Sequence, residues 1–205
     1  MKSLLVLAAF GVLGAGCSTL DQQANALSGA QPCCESLAQA SFLALQLASP
    51  MPAEISDASP SYRFAEGKSY LAAFRLPANR PLGRILLKTH STGFLASEPQ
   101  VFCPALTLLD QQMRPISRTG EMPLHFEPPG LLRQGFWFAI AQLPADAAMV
   151  VVHTPAAVIG SVTRVSGNSP GYSYWTGSTS VYVPGGRRAD GPPCGHRGRL
   201  ELEIR

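Results

Sequence analysis

Short apolar runs with every second residue on the same side, each closed by glycine, proline or asparagine, dominate the chain from Gly67 to Arg205. Alternation of period two is the pattern of a strand with one face buried, and it is incompatible with the 3.6-residue stripe of a helix. The densest region spans Gly67 to Asp110. Ser69–Leu76, Arg84–His90 and Phe102–Leu109 read as three strands in succession, a meander. Gly67, Pro77, Asn79, Pro81, Gly93 and Pro99 punctuate them, either by permitting φ > 0 or by fixing φ near −65°. In the first of these strands Tyr70, Ala72, Phe74 and Leu76 share one face.

Further strands are expected along the chain. Leu43, Leu45 and Leu47 alternate, after a helical turn or two that Ser36 caps. Leu124–Glu127 is a short strand, and Phe136–Gln142 and Ala148–Thr154 are apolar on both faces, as central strands of two layers would be. Trp137 belongs to the core. Pro155–Val162 reads as a short helix with proline in its first turn. Between Val165 and Pro193 a Gly/Ser/Tyr/Pro-rich excursion holds a weak hairpin, Tyr172–Trp175 against Ser180–Val183. Arg199–Arg205 alternates cleanly, with Leu200, Leu202 and Ile204 inward. Pro50–Pro60 reads as a linker. With 19 glycines, 18 prolines and only 14% charged residues in 205, the expected fold is all-β: a jelly-roll-like β-sandwich of about eight to ten strands with one or two short helices.

The N-terminus sets the address. Met1-Lys-Ser precedes an apolar run from Leu4 to Gly16 that ends at Cys17. A basic start, a 7–15-residue apolar stretch and small residues before the cut define an export signal, and the run is shorter than the roughly 20 residues a membrane span needs. Leu13-Gly-Ala-Gly-Cys17 resembles the bacterial lipoprotein signal, with residues 1–16 removed and Cys17 lipidated (diacylglyceryl and palmitate-type chains). Ser18, rather than aspartate, at the next position matches the habit of outer-membrane lipoproteins. Residues 17–32, without periodicity, are expected to be a flexible tether, and residues 33–205 a single domain facing the periplasm.

Once Cys17 is assigned to lipid, Cys33, Cys34, Cys103 and Cys194 remain. An even number in an exported chain indicates disulfides. Four cysteines allow three connectivities; the favoured one sends Cys33 and Cys34 separately to Cys103 and Cys194, because a bridge between neighbours closes a strained ring. Zinc-type spacing is absent, only His196 lies near any of them, and neither a metal nor a cofactor is expected.

Few groups suggest chemistry. Gly167-Asn-Ser-Pro-Gly171 matches the nucleophile-elbow text, but Pro170 lacks the backbone N–H that an oxyanion hole takes from the residue after the serine. Ser169 is therefore a turn residue. His90, His125, His153 and His196 are scattered; His125 and Glu127 share a strand face and read as a surface pair. A net charge of +3, with Arg187-Arg188 in a Gly/Pro loop, excludes a nucleic-acid footprint. Tyr172, Tyr174, Trp175 and Tyr182 are the candidate ligand or partner contacts, since aromatic faces beside hydroxyls suit sugar stacking or a protein surface. No catalytic set emerges, and the chain is expected not to be an enzyme.

Phe102-Cys-Pro-Ala-Leu-Thr-Leu-Leu-Asp-Gln-Gln-Met-Arg-Pro115, followed by Glu127-Pro-Pro-Gly130, resembles the central segment of the maltose operon periplasmic protein family. Lys68–Pro77, Met149–Thr154, Gly167-Asn168 and the closing Arg199–Arg205 strand are also similar. The resemblance implies a periplasmic protein tied to maltose and maltodextrin transport, with no established catalytic residues to carry over. The lipoprotein signal and the four additional cysteines lie outside that pattern. The reading is a non-enzymatic outer-membrane lipoprotein, an accessory or binding module for carbohydrate; the alternative is an envelope-assembly lipoprotein with a protein partner.

Overall fold

The computed structural model describes residues 19–80, 83–92, 99–129, 134–164, 172–175, 180–183 and 190–205, with backbone alone at 164, 172–175, 180–183 and 190. One helix opens it, α1 (Leu20–Gly29). The strands up to the middle of the chain are β1 (Phe42–Ala44), β2 (Met51–Ile55), β3 (Ser61–Phe64), β4 (Gly67–Arg75), β5 (Gly83–Thr89), β6 (Val101–Phe102), β7 (Ala105–Leu109) and β8 (Pro115–Arg118). The rest are β9 (His125–Glu127), β10 (Phe136–Leu143), β11 (Met149–His153), β12 (Val162–Arg164), β13 (Tyr172–Trp175), β14 (Ser180–Val183), β15 (Asp190–Gly195) and β16 (Gly198–Ile204).

Two sheets face each other. The six-stranded one runs β1-β4-β11-β7-β8, with β3 also on β4; the five-stranded one runs β2-β16-β5-β10-β9. Tyr70, Phe74, Leu106 and Val150 from the first sheet meet Ile85, Leu87, Trp137 and Leu202 from the second in one buried cluster. This is the expected all-β sandwich, with more strands than foreseen because several edge segments are only three or four residues long. A smaller sheet, β12-β15-β6, closes one end, and β13 pairs with β14. Gly198 lets β16 pass that end: a Cβ there would stand 2.5 Å from Phe102 Cβ.

The central strands of the six-stranded sheet are buried on both faces. Leu71, Ala73, Leu109, Met149 and Val151 point away from the main core and are covered by Leu37 and Phe64, with Phe42 and Tyr62 at the margin. The turn at Leu37–Gln39 is a single 3₁₀ turn, and the Ser36 side chain does not cap it. β11 is buried at every position, as a central strand should be. β10 differs from expectation: only Trp137, Ala139, Ala141 and Leu143 point inward, and Ile140 is 49% exposed.

Other expectations are corrected. The three strands from Gly67 to Asp110 are not a meander, because β4 and β7 lie in one sheet and β5 in the other. The chain crosses between layers at each connection, and the Arg80 guanidinium donates to the Pro144 and Ala147 carbonyls beside the first crossing. Phe102–Leu109 is not one strand; Pro104 has no N–H to pair, and the ladder breaks at Cys103-Pro104. The Pro50–Pro60 linker contains β2, an edge strand, where Pro52 needs no ladder donor on its outer side. The 17–32 tether is in fact mostly helix. Thr19 Oγ1 accepts from Gln22 N–H and Gln22 Oε1 accepts from Thr19 N–H, a capping box, and Leu27 is 5% exposed in the core.

The cysteine pairing is also corrected. Cys103 bonds Cys194, joining β6 to β15 at a Cα separation of 5.4 Å, and Cys33 bonds its neighbour Cys34. The parallel pairing of β6 with β15 sets Cys194 beside Val101 and so brings the two buried sulfurs together; this proximity is invisible at a sequence separation of 91.

His153 carries a testable consequence. It is 1% exposed, its ring stacks on Phe64 at 3.7 Å, and burial pushes its pKa down to about 4. An unfolded histidine protonates near pH 6.5. As pH falls from about 6.5 to about 4 the unfolded chain binds a proton that the folded chain refuses, so stability declines across that window, by up to about 3 kcal/mol. His153→Phe is expected to remove this slope from urea midpoints measured at both ends of the window; parallel losses in wild type and variant would refute the assignment.

Candidate functional site

The outer face of the five-stranded sheet gathers groups from five strands into rows. Register places Pro52 beside Glu201, Glu201 beside Lys88, Lys88 beside Phe138 and Phe138 beside His125. The next row holds Glu54 beside Arg199 and Phe136 beside Glu127, with His90 between them: its backbone N–H donates to the Arg199 carbonyl and its ring lies 6.3 Å from Phe136. Alternation along β10 makes this unavoidable, since burying Trp137 sends Phe136 and Phe138 outward.

Their geometry is that of an aromatic platform rimmed by compensated charge. The Phe136 and Phe138 rings lie 6.2 Å apart, and His125 stacks on Phe138 at 5.2 Å. Lys88 Nζ sits 5.5 Å from the Phe136 centroid and 2.9 Å from Glu201 Oε2. Farther along, hydrogen bonding to Arg205 holds the Glu203 carboxyl below its usual range.

A groove of about 910 Å³ joins this face along β2 and β16 and reaches the end of the sandwich. Glu54, His90, Arg199 and Glu201 line it from the sheet, and Gln23 of α1 and Gln100 from the far end. Gln23 Nε2 donates to Gln100 Oε1 at 3.0 Å, so α1 is part of the wall. Arg197, which pairs with Asp57, marks the corner. Burial first, then the same Asp57 carboxylate, pushes the Tyr70 phenol up. His196 is 5% exposed beside them; burial first and Arg197 second lower its pKa, favouring the neutral ring.

A second cavity, of about 750 Å³, lies at the opposite end, among Arg75, Arg80, Asp110, Arg114 and Asp146. Its polar groups are largely committed to turns. Asp110 accepts from the Gln112 and Arg114 N–H groups and from Arg114 Nε, and those bonds, led by the Arg114 backbone, hold its carboxyl below the usual range.

The anticipated residues are distributed differently. Tyr172, Tyr174, Trp175 and Tyr182 do lie on a hairpin, with Tyr172 opposite Val183 and Tyr182 opposite Ser173. His90 and His125 belong to the platform, whereas His153 is core. Cys17, Ser169 and Arg187-Arg188 lie outside the described residues. Cys103 and Cys194 lie near Glu121, but their sulfurs are taken up in the disulfide. Phe136, Phe138, Lys88, Glu201 and Arg199 were missed as a site. The one legible signal was Phe-Trp-Phe, which puts two rings on the face opposite the tryptophan.

A family model described as maltose operon periplasmic protein precursor (MalM) matches residues 66–184. No curated protein and no solved structure matches the chain. Among the described residues no helix is long and apolar enough to cross a membrane.

Proposed function

The chain belongs to the maltose operon periplasmic protein family, and from that premise we propose that it is a non-catalytic accessory protein that binds maltodextrin-class carbohydrate on the outer face of its five-stranded sheet while a lipid on Cys17 holds it at the outer membrane. The observation that carries this reading is the Pro52–Glu201–Lys88–Phe138–His125 row beside the groove. A sugar ring offers an apolar C–H face and a rim of hydroxyls. Aromatic faces take the first, and paired charges donate to and accept from the second. Because Lys88 is already neutralised by Glu201, a neutral ligand fits better than an anionic one. The family is not a known enzyme family, and no catalytic set emerged from the sequence.

Three acyl chains on Cys17, at about 0.8 kcal/mol per buried methylene, would make the anchor effectively permanent. Mass spectrometry of the mature N-terminal peptide reads this directly; an unacylated Cys17 removes the anchor from the account.

Isothermal titration of the non-acylated mature protein with maltodextrins tests the ligand. Phe138→Ala is expected to weaken binding about tenfold, close to 1.4 kcal/mol, while lowering the melting temperature by only about 2–4 °C, since the ring is half-buried on the outer face and lies outside the core. No heat with any maltodextrin or cell-wall glycan would remove the sugar reading. It would favour the envelope-assembly alternative, which draws support from a hairpin, β13–β14, that pairs with neither main sheet. Loss of a periplasmic crosslink on deleting the hairpin alone, residues 172–183, which leaves β15 in place, would then identify the contact.

A further inference from the structure

The two cysteine pairs differ in what governs thiol exchange. Cys103 and Cys194 are both 0% exposed, packed beside Thr163, whose hydroxyl lies 3.5 Å from one sulfur and 3.7 Å from the other. Cys33 is exposed and Cys34 half-buried. With Cys103 and Cys194 bonded to each other, Cys33 and Cys34 have no third cysteine among the described residues to pair with. Their bond is open to a thiolate from solution, and exchange requires such access.

The pair also sits at a joint. Pro32 bridges Ser61, the Cys33 N–H donates to the Ser61 carbonyl, and the Ser61 hydroxyl donates to the Gln31 carbonyl. These bonds fasten the exit of α1 to β3, and α1 supplies Gln23 to the groove wall. Any change at the pair therefore acts on the element that completes the groove.

We propose that Cys33–Cys34 is a thiol–disulfide exchange site for the dithiol of an envelope oxidoreductase, and that Cys103–Cys194 is a permanent staple. A thiolate of the dithiol attacks Cys33 Sγ, forming a mixed disulfide and releasing Cys34 as a thiolate, which takes up a proton. The dithiol's second thiolate attacks its own sulfur in the mixed disulfide and releases Cys33. Two electrons pass to the pair, and the donor leaves as a disulfide. A protein dithiol is the fitting donor, because the bacterial periplasm is not poised by a small-thiol buffer.

Dithiothreitol, used as the probe dithiol on the folded mature protein without denaturant and quenched with iodoacetamide, tests this by peptide mass spectrometry. Cys33 and Cys34 should alkylate more than about a hundredfold faster than Cys103 and Cys194, which wait for the fold to open. Equal rates, or resistance of Cys33–Cys34 until denaturant is added, would overturn the assignment. Cys34→Ser supplies an independent reading. With Cys17 also changed to serine, its Cys33 thiol should release a full equivalent of chromophore from an aromatic disulfide reagent under native conditions, and silence there would equally refute the site.

Discussion

Removal of the Cys103–Cys194 bond by the double change Cys103→Ala/Cys194→Ala is expected to lower the unfolding free energy by about 4–5 kcal/mol, the chain-entropy value for a loop near 100 residues. For a chain of this size that corresponds to a fall in melting temperature of roughly 10–20 °C. The bond spans 91 positions and ties β6 to β15, so it closes nearly half the chain into a ring. Both sulfurs are fully buried, and Thr163 of β12, which donates to the Pro192 carbonyl of β15 at 2.6 Å, lies beside them. Replacing both cysteines avoids stranding one thiol in the core. Thermal melts of variant and wild type, both oxidised, measure the difference; a shift below about 3 °C would mean that the native ring is strained or that the unfolded chain retains structure there.

Trp137→Ala is the second large effect. The indole is 2% exposed and lies 4.8 Å from Phe126. It also fills the space that a side chain at Gly191 would enter, where a Cβ would come within 2.9 Å of the ring. Its Nε1–H donates to Ser91 Oγ at 3.2 Å, linking β10 to the segment that follows β5. Truncation leaves a ring-sized cavity and should cost about 3–5 kcal/mol. Because Phe136 and Phe138 flank this residue on the opposite face, the same change is expected to lower affinity for maltodextrin, whereas Trp137→Phe should recover most of the binding and only part of the stability. Urea denaturation decides the first point and titration calorimetry the second. A loss under about 1 kcal/mol would show that the core closes over the gap without Trp137.

The residues that could be read in advance are those whose environment repeats locally. In β4, Tyr70 and Phe74 share a buried face, and in β16 Leu200, Leu202 and Ile204 do the same. Two-residue alternation needs no distant information to reveal this. The hairpin of β13 and β14 was legible for a similar reason, since its partners are adjacent in sequence. Misreadings arose where a residue's ordinary preference was overruled by position. Pro52 suggested a linker, yet an edge strand tolerates a missing donor. Glutamines and alanines after Thr19 suggested a tether, although Thr19 and Gln22 already spelled a capping box, and a helix of ten residues is stable only because Leu27 is buried against the sandwich.

The candidate site was less legible than the fold. Its members come from positions 52, 54, 88, 90, 125, 136, 138, 199 and 201, and apart from the histidines and the Phe136-Trp-Phe138 run nothing within a single strand marks them. Only the register of β16, β5 and β10 sets Lys88 between Glu201 and Phe138. A shift of one residue in any pairing would turn that strand's members to the opposite face.

By itself the amino-acid order determined that this chain alternates and builds two layers of strands, because period-two hydrophobicity acts through neighbours along the backbone. Tertiary structure alone decided which cysteines meet, which layer each strand enters and which rings face solvent together. Those outcomes depend on contacts between distant segments, where packing of Trp137 or pairing of β6 with β15 outweighs any local preference.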